Sequence, residues 1–239
     1  MELIKKGYTN ISYKDGEIFC QEKILNGFNH NVDYKLLNQF DFVPKFIKQD
    51  DKFVYWEFIE NQKFAPTNEN LEKIAANLKQ LHSSSVKFQD NFMIKRLDSF
   101  LSLIEKWGRT SELITNSFNL VKEIFASDNQ NNYPIHNDLY FSNILKTDEK
   151  LYFVDWEYAS MGNRLFDLAL FATATDLSDE QEEVFLNFYN VKLDEKQIYI
   201  NQKFIAYFFI VTWALSKEQI PINDKYFIDK LSQYYQICK

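Results

Sequence analysis

Apolar residues along this chain change their spacing once. Up to about residue 60 they come in short runs rich in aromatic and β-branched side chains, bounded by Gly, Asp or Asn; beyond it they recur at helical intervals. Residues 16–23 (GEIFCQEK) and 52–60 (KFVYWEFIE) read as strands. Residues 33–40 can hold a short helix between them, and 42–47 read as extended because Pro44 disfavours a helical predecessor. Leu71, Ile74, Ala75, Leu78 and Leu81 form a helical stripe with Thr67 or Asn68 as N-cap. Leu97, Phe100, Leu101, Ile104 and Trp107 form a second, stopped by Gly108, and Leu113, Ile114, Phe118, Val121, Ile124 and Phe125 a third. Two short runs, 144–145 and 151–154, flank the polar KTDEK and predict a hairpin, after which helical spacing continues to the end. The expected fold class is α+β, with a small β-rich lobe over residues 1–60 and a larger, mostly helical lobe over 61–239.

Composition narrows the class. Hydrophobic residues make up 46% of the 239 and aromatic residues 17%, which supports a real core and excludes a disordered chain. A net charge of −7 argues against nucleic acid or an anionic membrane as the main partner. The two cysteines, Cys20 and Cys238, have no CxxC neighbour, so a reducing, cytoplasmic setting is expected. MELIKKGYTN lacks the apolar core of a signal peptide. The most apolar stretch, 204–215, falls short of the about 20 residues of a transmembrane span and is expected to be a buried core helix. Oligomeric state is left open.

Chemistry concentrates in PIHNDLYFSNIL (134–145) and LYFVDWEYAS (151–160). The acids and amides there are either ordinary turn residues or groups converging on a cation. His136, Asp138 and Asn143 form H-x-D-x-x-x-x-N, and Asp155 ends the next apolar run twelve residues after Asn143. Phosphoryl transfer from ATP uses such a set: a carboxylate for the proton of the attacking hydroxyl, and an amide and a second carboxylate as oxygen ligands for Mg²⁺. Protein-kinase catalytic loops share the spacing. A 144–154 hairpin would bring Asn143 beside Asp155, with Asp138 in the loop leading in. His136 is expected to prop up that loop, and Asp167 to cap a helix or support the loop.

HNDLYFSNIL followed by VDWEYASMGNRLFDLA resembles the choline/ethanolamine kinases, whose pattern is HNDLxxxNIL, D-[FW]-E-Y-[AS] and [FW]-D-[IL]-A. The wider group includes aminoglycoside phosphotransferases and thiamine kinases and has a two-lobed protein-kinase-like fold. The resemblance makes Asp138 the catalytic base and Asn143 and Asp155 the Mg²⁺ ligands. GYTN (7–10) is similar to the family's GLTN turn near the ATP phosphates, which brings in Thr9 and Asn10. Lys23 stands where a phosphate-pairing cation is expected, with Gln21 competing for that position. No Glu partner for such a lysine follows, and Asp33 is a poor substitute. Residues 57–60, with Glu57 and Ile59, would form the adenine hinge.

A choline acceptor needs aromatic faces for its quaternary ammonium. The late helix of choline kinases carries two Trp; here YFFIVTW (207–213) keeps Trp213 and has Ile210 at the first, and Ala174 stands where eukaryotic members have Glu. Trp156, Tyr158 and Glu157 are further candidates for the acceptor site. The resemblance implies a Mg²⁺- and ATP-dependent kinase of a small cationic alcohol, choline first. Thiamine, ethanolamine or an aminoglycoside as acceptor, or a kinase fold that binds without catalysis, are the alternatives. The acidic SDEQEE (178–183) reads as a solvated face.

Overall fold

The structure, a computed structural model, describes residues 1–7, 9–128 and 132–239. Five antiparallel strands open the fold: β1 (Glu2–Lys6), β2 (Asn10–Asp15), β3 (Ile18–Lys23), β4 (Phe46–Gln49) and β5 (Phe53–Glu57), in the order β1-β2-β3-β5-β4. Gly16, at φ +61°, turns β2 into β3 in a conformation that costs glycine little. In β5 Val54 and Trp56 are buried, and the two residues between and before them are half-buried, so period-two alternation sets which face packs. Tyr34, Phe46 and Trp56 close that face, the Tyr34 and Trp56 rings 5.2 Å apart. Tyr34 begins a 3₁₀ turn, Tyr34–Gln39, capped by the Asp33 carboxylate, which accepts from Lys35 N–H. Asp33 is thus a cap. Pro44 precedes β4, which begins two residues after it.

The helical part follows: α1 (Asn68–His82), α2 (Met93–Lys106) and α3 (Glu112–Ser127), each coinciding with one of the three stripes. Thr67, rather than Asn68, caps α1 by accepting from Asn70 N–H. Gly108, at φ +65°, follows the α2 cap residue Trp107. β6 (Tyr133–Ile135) pairs with β9 (Ser160–Gly162), and between them lies the expected hairpin, β7 (Ile144–Lys146) with β8 (Leu151–Phe153). Then come α4 (Arg164–Ala174), α5 (Asp179–Tyr189), α6 (Lys196–Leu215) and α7 (Asp224–Cys238). The Ser178 hydroxyl and Gln181 form a capping box at the start of α5, whose exposed first turn carries Asp179 and Glu180.

The apolar run 204–215 is the second half of α6, a helix of 20 residues. By length and composition Leu193–Leu215 could cross a membrane, yet 72% of its most apolar 18-residue window is buried inside the fold. Nine of the eleven α4 residues and fourteen of the twenty α6 residues are buried; α4 and the second half of α6 are apolar nearly all round, and the two helices pack against each other. The strands end at Glu57 and the first helix begins at Asn68; between them Gln62 N–H donates to Lys146 O (2.8 Å), tying the connection to the β7–β8 hairpin.

Candidate active site

A carboxylate anchors the start of the loop after β6. Asp167, fully buried in the first turn of α4, accepts His136 N–H and Asn137 N–H, both at 2.8 Å, and lies 3.0 Å from His82 Nε2. Of the two structural roles expected of Asp167, loop support is the one it fills, from a helix's first turn where a negative charge is favoured; the cap is Asn163. His136 Nε2 lies 3.0 Å from Val154 O and its ring leans on Trp156, the centroids 4.4 Å apart and the planes tilted by 45°. Burial pushes the His136 imidazole down to about 4, so it is neutral, donates from Nε2 and keeps a bare, buried Nδ1. It props the loop. Asn137 takes φ +64°, which re-aims the chain so that Asp138 enters a cleft of about 870 Å³ between the sheet and the helices.

Asn143 Nδ2 donates to Asp138 O at 2.9 Å, and Val154 N–H donates to Asn143 O at 3.0 Å. The hairpin thereby sets Asn143 next to the strand end that carries Asp155. Asp138, Asn143 and Asp155 all line the cleft. Asp155 adopts φ +67°, and its Oδ1 accepts from two amides of the small lobe, Gln21 Nε2 (2.8 Å) and Asn10 Nδ2 (2.9 Å). Burial and the nearby Glu157 and Asp138 charges push the Asp155 carboxyl well above its usual range, opposed by the Gln21 amide and Lys5. Burial raises Asp138 to about 7, with Arg96 pulling it down and Glu157 and Asp167 pushing it up.

Such a set fits a hard divalent cation. Two carboxylates of raised affinity for protons face one cleft, and the Asn143 nitrogen is used on Asp138 O, which leaves the amide oxygen to offer. Asn143 and Asp155 would hold the ion, and its charge would offset the burial and the neighbouring negative charges that raise both carboxyls.

Thr9, Asn10, Glu57 and Ile59 line the same cleft, as the nucleotide expectation requires; Tyr8, within the GYTN turn, lies outside the described residues. Lys23 does not. Its ammonium donates to Asp50 O (2.7 Å) and Gln49 Oε1 (3.3 Å), and it is absent from the cleft wall. The correction has a geometric cause: two residues on from Gln21 move it about 7 Å along the strand, to the turn between β4 and β5. Gln21 is buried in the position expected of the cation.

Among the acceptor candidates, Tyr158 and Trp213 line the cleft beside Asp138, with Phe209, Ile210 and Ala174. Trp156 reaches the cleft wall but is fully packed, its indole N–H donating to Phe153 O at 2.8 Å. Glu157 turns away: within the 3₁₀ turn Trp156–Tyr158 it faces the small lobe, 2.7 Å from His30 Nε2 and accepting from Asn29 Nδ2 at 3.0 Å. It is not part of the cleft wall, and its expected contact with the acceptor gives way to this buried network.

Two participants were not foreseen. His30, with Nδ1 2.8 Å from the Tyr34 hydroxyl and Nε2 3.1 Å from Asn10 Oδ1, links the GYTN turn to Glu157; the polar run GFNHN was the only hint. Arg96 of α2 lies buried with its guanidinium 3.7 Å from the Tyr158 ring centroid and 4.8 Å from that of Phe209, and its Nη1 has no hydrogen-bond partner. Arg96 directly precedes the apolar stripe that begins at Leu97, and among the neighbouring Lys95 and Asp98 nothing in the sequence marked it as buried. Lys217 lies 5.4 Å from the Trp213 ring, so both aromatic faces carry a cation of the chain itself.

Residues 34–198 match the model of the phosphotransferase enzyme family. The chain is 35% identical to the protein LicA homolog of Mycoplasma capricolum subsp. capricolum over 231 residues, 97% of this chain and 96% of that protein. The crystal structure of choline kinase LicA from Streptococcus pneumoniae superposes with a TM-score of 0.74 at 19% identity, covering 99% of this chain and 95% of that one. A structure of LicA in complex with AMP gives 0.78 at 19% identity, over 100% and 91%.

Proposed function

The chain belongs to the phosphotransferase enzyme family, as a choline/ethanolamine kinase-like member acting on an alcohol group, and we propose that it moves the γ-phosphate of ATP to choline. One observation carries the reading: Asp138, Asn143 and Asp155 converge on one cleft whose other wall is the small lobe with Thr9, Asn10, Glu57 and Ile59. In this scheme Asp138 takes the proton of the attacking hydroxyl, and Asn143 and Asp155 hold Mg²⁺. The ion supplies charge neutralisation on the phosphates. Asn10 and Gln21 orient Asp155 until nucleotide arrives, and Tyr158 and Trp213 offer the ammonium its aromatic faces. The AMP complex of LicA and the choline kinase activity in the name of its pneumococcal counterpart support nucleotide and acceptor.

The test is ADP release from ATP with choline, ethanolamine, thiamine and aminoglycosides in turn. Choline is expected to give the highest kcat/KM, and chelation of Mg²⁺ to abolish turnover. Nucleotide binding without turnover on any acceptor would instead mark a non-catalytic kinase fold.

A second reading, a small alcohol that carries no positive charge, draws on Arg96 and Lys217, since two cations within the acceptor half repel a third. Arg96→Met separates the two. For choline, losing a like charge is expected to lower KM several-fold, whereas an acceptor bound through the guanidinium would show KM rising about tenfold or more.

A further inference from the structure

The small lobe of this chain has a neutral amide at the inward position of β3. Gln21 points into the cleft, is buried and donates to Asp155, while Lys23 spends its ammonium on the β4–β5 turn. A nucleotide triphosphate in the cleft therefore meets no cation from β3. The strand registers show where one is available. Gln21 pairs with Ser12 of β2, and Ser12 pairs with Lys5 of β1, so Lys5, Ser12 and Gln21 form one cross-strand row. All three line the cleft.

We infer that Lys5, on the edge strand β1, is the small-lobe cation that binds the ATP phosphates in this protein, taking over from the third strand a charge that Gln21 no longer supplies. The inference rests on the kinase reading above and adds to it the source of the phosphate contact. Neighbouring strands stand about 4.8 Å apart, so Lys5 begins about 10 Å from Gln21 along the row, with only the short Ser12 side chain between. A flexible lysine stem can lie over that serine and carry its ammonium to the cleft centre. Lys5 is exposed, and among the described residues its ammonium has no hydrogen-bond or ion-pair partner, unlike that of Lys23. The bulge between Leu3 and Lys5 in β1 is what puts Lys5, rather than its neighbour, into this row.

Binding, measured apart from turnover, tests the inference. Affinities for Mg·ATP and for adenosine are compared in wild type, Lys5→Ala and Lys23→Ala by calorimetry, with unfolding melts as a check on folding. Lys5→Ala is expected to weaken ATP roughly 10- to 100-fold, the range for a charge-assisted hydrogen bond, and to leave adenosine within twofold. Lys23→Ala is expected to match wild type for both. Adding Gln21→Lys to Lys5→Ala returns a cation to the same row and should recover ATP affinity. Unchanged ATP binding in Lys5→Ala, or a phosphate-specific loss in Lys23→Ala, overturns the inference while wild-type binding keeps the kinase reading. If wild type binds neither ATP nor adenosine, both fall together.

Discussion

Asp138→Asn is expected to lower kcat by about 10²–10⁴-fold on the best acceptor, the range for loss of a general base, with ATP affinity unchanged. The asparagine keeps the shape and cannot take the hydroxyl proton. The same change should stabilise the protein when nucleotide and metal are absent. Burial raises the Asp138 carboxyl to about 7 in the folded chain, against the ordinary 3.8. Between those values the folded state holds a proton that the unfolded state has released, so the contribution of Asp138 to stability falls as pH rises from about 4 to 7. Asparagine does not titrate. The stability gap between Asp138→Asn and wild type should therefore be small near pH 4 and widen to the order of 2–4 kcal/mol in favour of the variant by pH 7.5. Denaturant titrations at the two pH values read it directly. A variant that keeps full turnover removes Asp138 from the chemistry. A gap that stays flat with pH would mean that Asp138 titrates normally.

Asp167→Ala is expected to destabilise the fold by about 3–5 kcal/mol, the cost of stripping a buried charge from its partners. Both peptide N–H groups that start the loop, at His136 and Asn137, would lose their acceptor among buried residues, and His82 would lose its carboxylate. For a chain of this length that corresponds to a midpoint roughly 10 °C lower in a thermal melt. Asp167→Asn retains one acceptor oxygen and should fall between. Since the two N–H groups set the φ of Asn137 and hence the aim of Asp138, Asp167→Asn should also lower kcat more than it changes the KM for ATP. A loss under 1 kcal/mol in Asp167→Ala would show that the loop is held by other contacts.

Much of this could be read along the chain. The change from strand to helix spacing near residue 60, the three helical stripes and the 144–153 hairpin follow from local periodicity, because a buried face must repeat with its element's own period. The set Asp138, Asn143 and Asp155 was legible for the same kind of reason: a short hairpin fixes which of its ends meet, so spacing alone implies proximity. Strands β1 and β2 were not singled out in the sequence, since Glu2–Lys5 are exposed and Asn10–Asp15 mostly half-buried, with little alternation in either. The full length of α6 was hidden because its first turns are polar while only its second half is apolar.

By itself, then, the sequence determined the fold class, the family resemblance of the loop after β6 and the three residues it brings to one cleft, each being a matter of neighbours within a few turns of chain. The tertiary structure decided everything that depends on pairing across lobes. Only the strand registers distinguish Gln21 and Lys5, which face the cleft, from Lys23, which is drawn to the Asp50 carbonyl. Only the packing of α2 on the 156–158 turn reveals Arg96 over Tyr158, and only the meeting of residue 30 with residue 157 turns Glu157 from the acceptor towards His30. The physical reason is range: periodicity records which face of an element is buried, but the partner across the gap is chosen by burial and charge summed over contacts more than a hundred residues apart in the chain.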